Sequence, residues 1–377
     1  MKFGFGTFLT ALLALSSGGP ATATTYFLSP DGTGDFPTIA AAITAAVDGD
    51  VIVLSDGVYS GGGNSSPQST KEIELRSANG PGMCEIHGTS TWRGTLDGLT
   101  FVNPPVPLAI RSGTIRNCVI VGGGEGGLET RYDCVVENVT VRDGGQPAIA
   151  CFWGFPTLTG CTIESNAPTN TTGPGTLTLA RTNATIEDCR IAGNRAYRAG
   201  GINGYVSTAV IRGCTIVGNE GKDAGGVRLG RNSQATIEQS TIANNRGDDT
   251  DSADGAFVHD AGSLTLSRSI VWSGCGNSVF AVGSGTVDVT CSDVSPITDP
   301  GSGTITLAAD VISLDPLFCA PEDCLNTPTG GGIYALDVGS PAVAQTCGAM
   351  GSLGVVCGTG VEELESMPWS RLKTLHR

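Results

Sequence analysis

Three stretches carry one phrase: ATIEDCRIAGN at 184–194, AVIRGCTIVGN at 209–219 and ATIEQSTIANN at 235–245. Cys189 returns as Cys214 and then as Ser240, a period of about 25 residues. Apolar residues alternate within each copy, as at Ile186, Cys189 and Ile191, which marks half-buried strands rather than helix. A period of that length holds three short strands and three turns, one coil of a parallel β-helix. The expected architecture is all-β: a single solenoid of about ten coils over residues 61–290.

The same file reads backward through Cys161, Val139, Cys118 and Leu99, and forward through Ser240 and Ser269. All are small or apolar, as an inward row requires. The residues just before them, Gly98, Asn117, Asn138, Gly160, Asp188 and Gly213, are types that tolerate left-handed backbone, so a bend is expected there. Gln239 and Arg268 break that pattern, and the later coils are expected to bend differently or to shift register. Asn166, Asn194, Asn219 and Asn245 mark a second corner whose side chains can bond along the column. A third strand begins at Gly200-Gly201-Ile202, Gly225-Gly226-Val227 and, more loosely, Gly255-Ala256-Phe257.

The chain has 377 residues and a net charge of −15. An acidic surface repels phosphate backbones, so nucleic acid is not an expected partner. Residues 1–23 read as a secretory signal peptide, with Lys2, an apolar run from Phe8 to Leu15 and the small-residue site Ala21-Thr22-Ala23. The run is too short and interrupted to span a bilayer, and no transmembrane segment follows. The expected protein is secreted, extracellular or at the cell surface, and monomeric. Thirteen cysteines leave at least one thiol over or paired between chains.

Residues 24–60 read as an N-terminal cap. Ile39, Ile43, Ala46 and Val47 fall on one helical face, with Pro37 in the first turn, and Val51 to Leu54 follow as a buried strand. An amphipathic helix of this kind covers the open apolar end of a column. The phrase SPDGTGDFPTIAAAI followed by DGDVIVLSDGVY resembles the entry segment of pectin-lyase-like right-handed β-helix proteins, pectin methylesterases included. The resemblance covers about 35 residues closely and implies a right-handed helix far more than any activity.

Residues 291–358 are expected to form a C-terminal cap, with Pro296, Pro300 and Pro316 interrupting strands. The segments DPLFCAPEDC and ALDVGSPAVAQTCGAMGSLGVVC resemble the terminal part of many secreted β-helix proteins. That resemblance favours disulfides Cys319 with Cys324 and Cys347 with Cys357. The tail, 359–377, places Trp369, Leu372 and Leu375 on one face of a short helix.

Each candidate for chemistry has a plainer structural explanation. Cys161, Cys189 and Cys214 are buried thiols, one disulfide between neighbours, or metal ligands. Stacked parallel side chains do not converge as a metal requires. Glu187, Arg212 and Glu238 alternate in sign up one file, as do Arg116 and Glu137, which suits pairing between neighbouring strands. Asp249, Asp251 and Asp254 are candidate Ca²⁺ ligands, or a solvated acidic loop, so calcium is the candidate cofactor.

His259 with Asp260 is a candidate acid–base pair. Arg195, Arg198, Asp223, Arg228 and His259 are the candidate catalytic residues, or solvated corner groups. Cys151 to Phe155, centred on Trp153, is the densest aromatic cluster, able to stack on a sugar if it faces outward, or a packed bulge. The phrases typical of β-helix esterases, polygalacturonases and alginate epimerases are not found. Two functions follow: a non-catalytic protein presenting a lateral face to a polysaccharide, cell-surface glycan or other envelope partner, or a calcium-dependent lyase acting on an acidic polysaccharide.

Overall fold

A computed structural model describes residues 22–167, 173–249, 252–295, 297 and 301–357. The signal segment up to residue 21, Asp251, Pro296, Pro300 and the tail with Trp369, Leu372 and Leu375 lie outside the described residues.

Helix α1 (Ile39–Ala45) buries Ile39, Ala42 and Ile43 on the first turn of the column. Thr38 caps it, its hydroxyl accepting from the Ala41 amide at 3.2 Å. Its other end is held by Lys71, whose Nζ donates to the carbonyls of Ile43, Thr44 and Ala46 at 2.7, 3.0 and 2.5 Å. Those carbonyls have no partner within the helix, and a cation there also suits the helix dipole. The expected apolar face is present except at Val47, which is 58% exposed because the helix ends before it.

The coil is two parallel sheets of twenty and eleven strands and a short three-stranded sheet. The eleven-stranded sheet contributes one strand per turn, so it sets eleven turns. Strand Leu108–Arg116 of the long sheet pairs with both Leu128–Arg131 and Cys134–Glu137. From there each long strand is split by a bend at a residue of positive φ, beginning with Tyr132 at 67°.

Register is kept turn after turn. Ile186 pairs with Ile211 and Ile211 with Ile237, all fully buried. The Cys189 amide donates to Cys214 Sγ at 3.4 Å, and the Cys214 amide to Ser240 Oγ at 3.2 Å. The file runs on through Ser269 to Ser292. Gln239 and Arg268 adopt the same bend, with φ of 45° and 48°, so the register does not slip. Each left-handed non-glycine residue costs about 1–2 kcal/mol, which the stacked hydrogen bonds outweigh. The seven remaining free cysteines are buried. Five of the thiols, those of Cys118, Cys134, Cys161, Cys189 and Cys214, donate to local carbonyls, as Cys189 does to Glu187 at 3.2 Å, and burial pushes Cys118 up to about 12. They are small hydrophobes, as one of the three readings had it.

The asparagine corner is a continuous buried file. Nδ2 of Asn166, Asn194 and Asn219 donates to Oδ1 of the next Asn at 2.9–3.0 Å, and also to a carbonyl of the preceding turn. Asn245 closes the file on the Ile216 carbonyl at 2.8 Å.

The disulfide-containing C-terminal segment lies along the flank of the column. It crosses the outer face of the eleven-stranded sheet, where Ala192, Val217 and Ala243 pack with Tyr334, Trp272 and Phe318. Thr215 Oγ1 meets Ser352 Oγ at 2.7 Å, and the Ser352 amide donates to Thr241 Oγ1 at 3.0 Å. All four predicted cysteines are disulfide-bonded, but with other partners: Cys275–Cys324, Cys291–Cys347 and Cys319–Cys357. The expected short loops are therefore replaced by bonds that tie the segment to the coil and to itself.

Candidate functional site

The outward face of the long sheet carries two files of side chains. Strand alternation sends Ile202, Val227 and Ala256 into the core and their successors Asn203, Arg228 and Phe257 outward, in register. Two residues further on, Phe152, Ala180, Tyr205 and Gly230 form the second file, with Arg131 before them.

Four of the five predicted catalytic residues meet on this face. Arg228 is only 5% exposed, and its Nε donates to Asp223 Oδ2 at 2.7 Å and its Nη1 to Asn203 Oδ1 at 3.1 Å. Arg198 reaches the same Asp223 oxygen at 3.8 Å. Burial lowers the Arg228 pKa against the pull of Asp223. His259 follows Phe257, its Nδ1 lying 3.0 Å from Asp260 Oδ2. Its Nε2 is buried with no hydrogen-bond partner among the described residues. A Cβ on Gly230 would lie 2.4 Å from that nitrogen, so a larger residue there would displace the ring. Burial, then Arg228, lowers the His259 pKa. The imidazole is neutral at pH 7, and the carboxylate of Asp260 places its proton on Nδ1.

Arg195 does not join them. It pairs with Glu220 at 2.9 Å, which Arg246 also holds at 3.2 Å, on the short third sheet. The described calcium candidates of the acidic loop, Asp249 and Asp254, have separate partners. Asp249 faces Lys222 at 3.6 Å, whereas Asp254 is buried and accepts from the Gly247 amide at 2.9 Å and from Ser273. Among the described residues, the one group of three metal-competent side chains is Cys275, Asp323 and Cys324, and its two cysteines form a disulfide. The predicted pairing in the charge file is present: Arg212 lies 3.6 Å from Glu187 and 2.9 Å from Glu238. Arg116 does not form the expected ion pair with Glu137; it pairs instead with Asp97, at 2.9 Å in the turn below.

The bend beside the second file is the most accessible part of this face. Trp153 is turned outward, 40% exposed, with Tyr132 57% and Phe155 64% exposed. The Tyr132 and Trp153 rings stack at 6.3 Å between centroids, and the Arg131 guanidinium sits 5.7 Å from the Trp153 ring. The next turns place Arg181, Val206 and Arg231 at the same bend, all with positive φ. Arg231 lies 5.5 Å over the Tyr205 ring. This corner therefore alternates aromatic rings and guanidinium groups along the column, in a chain that is strongly acidic elsewhere.

Trp153 and Phe155 were legible from their clustering, but Tyr132, Arg131, Arg181, Tyr205 and Arg231 were not singled out. The signal was there: bend residues fall seven to nine positions ahead of the cysteine file in each repeat. Their types differ from turn to turn, so no repeated letter marks them.

Residues 159–294 match the family model described as the right handed beta helix region. The fold is a right-handed parallel β-helix. Among solved structures, this β-helix is similar to pectate lyase Pel9A, with 12% identity, 89% of this chain and 97% of that chain covered and a TM-score of 0.47. It is also similar to a GH87 alpha-1,3-glucanase from Streptomyces thermodiastaticus, with 14% identity, 83% and 72% covered and a TM-score of 0.42. A PL6 alginate lyase bound to a trisaccharide gives 13% identity, 82% and 92% covered and a TM-score of 0.45. Likenesses of this degree carry no argument about activity. No curated protein matches the sequence of this β-helix.

Proposed function

We propose that this protein is a secreted, non-catalytic β-helix that binds glycan along the corner of its long sheet. The observation that carries the reading is the solvent-facing stack of Tyr132 and Trp153 with Arg131 beside it, continued by Arg181, Tyr205 and Arg231. Flat amphipathic rings suit the apolar faces of sugars, and guanidinium forks suit hydroxyl or carboxylate oxygens. Three disulfides and the signal-like N-terminus support an oxidising compartment. A glycan panel followed by tryptophan fluorescence titration tests it. Trp153→Ala should weaken binding about tenfold or more with unchanged melting temperature, the loss expected for one stacking platform. Equal affinity of that variant and the parent would defeat the reading.

A second reading, a polysaccharide lyase, is favoured by the meeting of Arg198, Asp223, Arg228 and His259. An Asp260-held imidazole with Nε2 free to accept a proton is a competent base once a substrate opens the site. The Arg228 guanidinium, already bonded to Asp223 and Asn203, fits a positioning role instead. Appearance of the unsaturated product of β-elimination, with and without chelator, and its loss in His259→Ala would establish this reading over the first.

A further inference from the structure

A cavity of about 460 Å³ lies between the flank of the coil and the C-terminal segment, far in sequence from the corner just described. Trp272 from the coil and Phe318 and Leu317 from the segment supply apolar walls, and the Cys319–Cys357 disulfide borders it. Asn244, Asp315 and Asp337 supply the polar groups. Both carboxylates are fixed: Oδ1 of Asp315 accepts from the Leu317 amide, and Oδ1 of Asp337 from the Gly339 amide, at 2.9 and 2.8 Å. Neither is in an ion pair among the described residues, and no lysine, arginine or histidine lines the cavity. Asn244 is anchored by its side-chain amide, which donates to the Glu322 carbonyl.

Two oriented carboxylates and two aromatic side chains around a space of this size match one ligand chemistry. A neutral sugar would draw no charge attraction from the two unpaired carboxylates, and an anion would be repelled. An ammonium group is attracted both by carboxylates and by the negative face of an indole, and its alkyl flank fits apolar walls. We propose that this cavity binds a small organic cation, an amine or quaternary ammonium group on a compact apolar or sugar frame. The site is separate from the glycan corner and stands or falls independently of it.

The test is calorimetry on the full, disulfide-intact protein with spermidine, choline, glucosamine and N-acetylglucosamine, together with tryptophan fluorescence. Trp153→Phe serves as the background, to remove the corner's signal. At least one of the cations should bind and perturb Trp272 emission. Asp315→Asn/Asp337→Asn, isosteric at exposed or half-buried positions, should weaken it at least tenfold with an unchanged melting temperature. Which cation binds separates amine from quaternary ammonium recognition, and loss of binding from glucosamine to its N-acetyl form isolates the charge. No binding by any of the cations at millimolar concentration overturns the proposal. So does equal binding of glucosamine and N-acetylglucosamine, or binding unchanged in the double variant.

Discussion

Asp293, on the last strand of the eleven-stranded sheet, is fully buried, and only one of its oxygens is bonded. Oδ1 accepts from the Leu314 amide at 3.2 Å, whereas Oδ2 is buried without a partner among the described residues. Burial is the main cause that pushes this carboxyl from 3.8 up to about 7, and Asp315 adds to it. A raised carboxyl pKa means that the folded state holds the proton longer than the unfolded chain. Its contribution is complete below about pH 4 and is lost as pH rises toward about 7. Asp293→Asn keeps the acceptor and removes the charge. It should raise unfolding free energy at pH 8 by about 1–3 kcal/mol and leave it nearly unchanged at pH 4, as read by urea denaturation. His259 acts in the opposite sense. Its lowered pKa makes protonation favour the unfolded chain, so stability is full above about 6.5 and falls as pH drops below it.

Among the elements, the C-terminal segment departs most from its sequence reading. The lid helix, the cysteine file and the asparagine corner were legible because each is local or repeated, and repetition turns one correct register into many. The flank position was not, because its contacts join residues 111 to 140 positions apart and recur nowhere. The disulfide pairing differs for the same reason: the resemblance of the terminal segment favours Cys319 with Cys324 and Cys347 with Cys357, whereas folding brings Cys275 and Cys291 to the segment. Four of the five residues of the arginine cluster, Arg198, Asp223, Arg228 and His259, share a face, while Arg195 lies on a different sheet. The disulfides close separations of 38 to 56 residues, worth about 4 kcal/mol each in the chain-entropy model. Residues 301–357 contain no lysine or arginine, so chymotrypsin is the suitable probe. Oxidised protein should resist it, and reduced protein should be cut first near Phe318 and Tyr334 while the coil survives. Resistance unchanged by reduction would mean that the apolar contacts with Ala192, Val217 and Ala243 suffice.

At the scale of the whole molecule, each turn contacts mainly its neighbours, so stability is nearly a sum along the column. The flank segment breaks that uniformity. It ties the turns from Arg190 to Cys291 together and leaves those before residue 160 joined only to their neighbours and to the lid. Hydrogen exchange should therefore be slower in strands 186–271 than in strands 73–121, by about tenfold or more at matched burial. Reduction should narrow the gap. Equal protection in oxidised protein would show that the segment adds nothing to the cohesion of the turns beneath it.

The asparagine file also bears on how such a chain can change length. Every link before Asn245 donates to the turn after and every link accepts from the turn before, so duplicating one whole turn leaves no donor or acceptor orphaned, whereas a partial insertion breaks the sequence of partners. The flank segment restricts where duplication is harmless: an extra turn between Arg190 and Cys291 would shift its anchor points by about 4.8 Å, one strand spacing. Descendants of this gene should accordingly differ by whole turns, and those turns should be gained or lost near the lid.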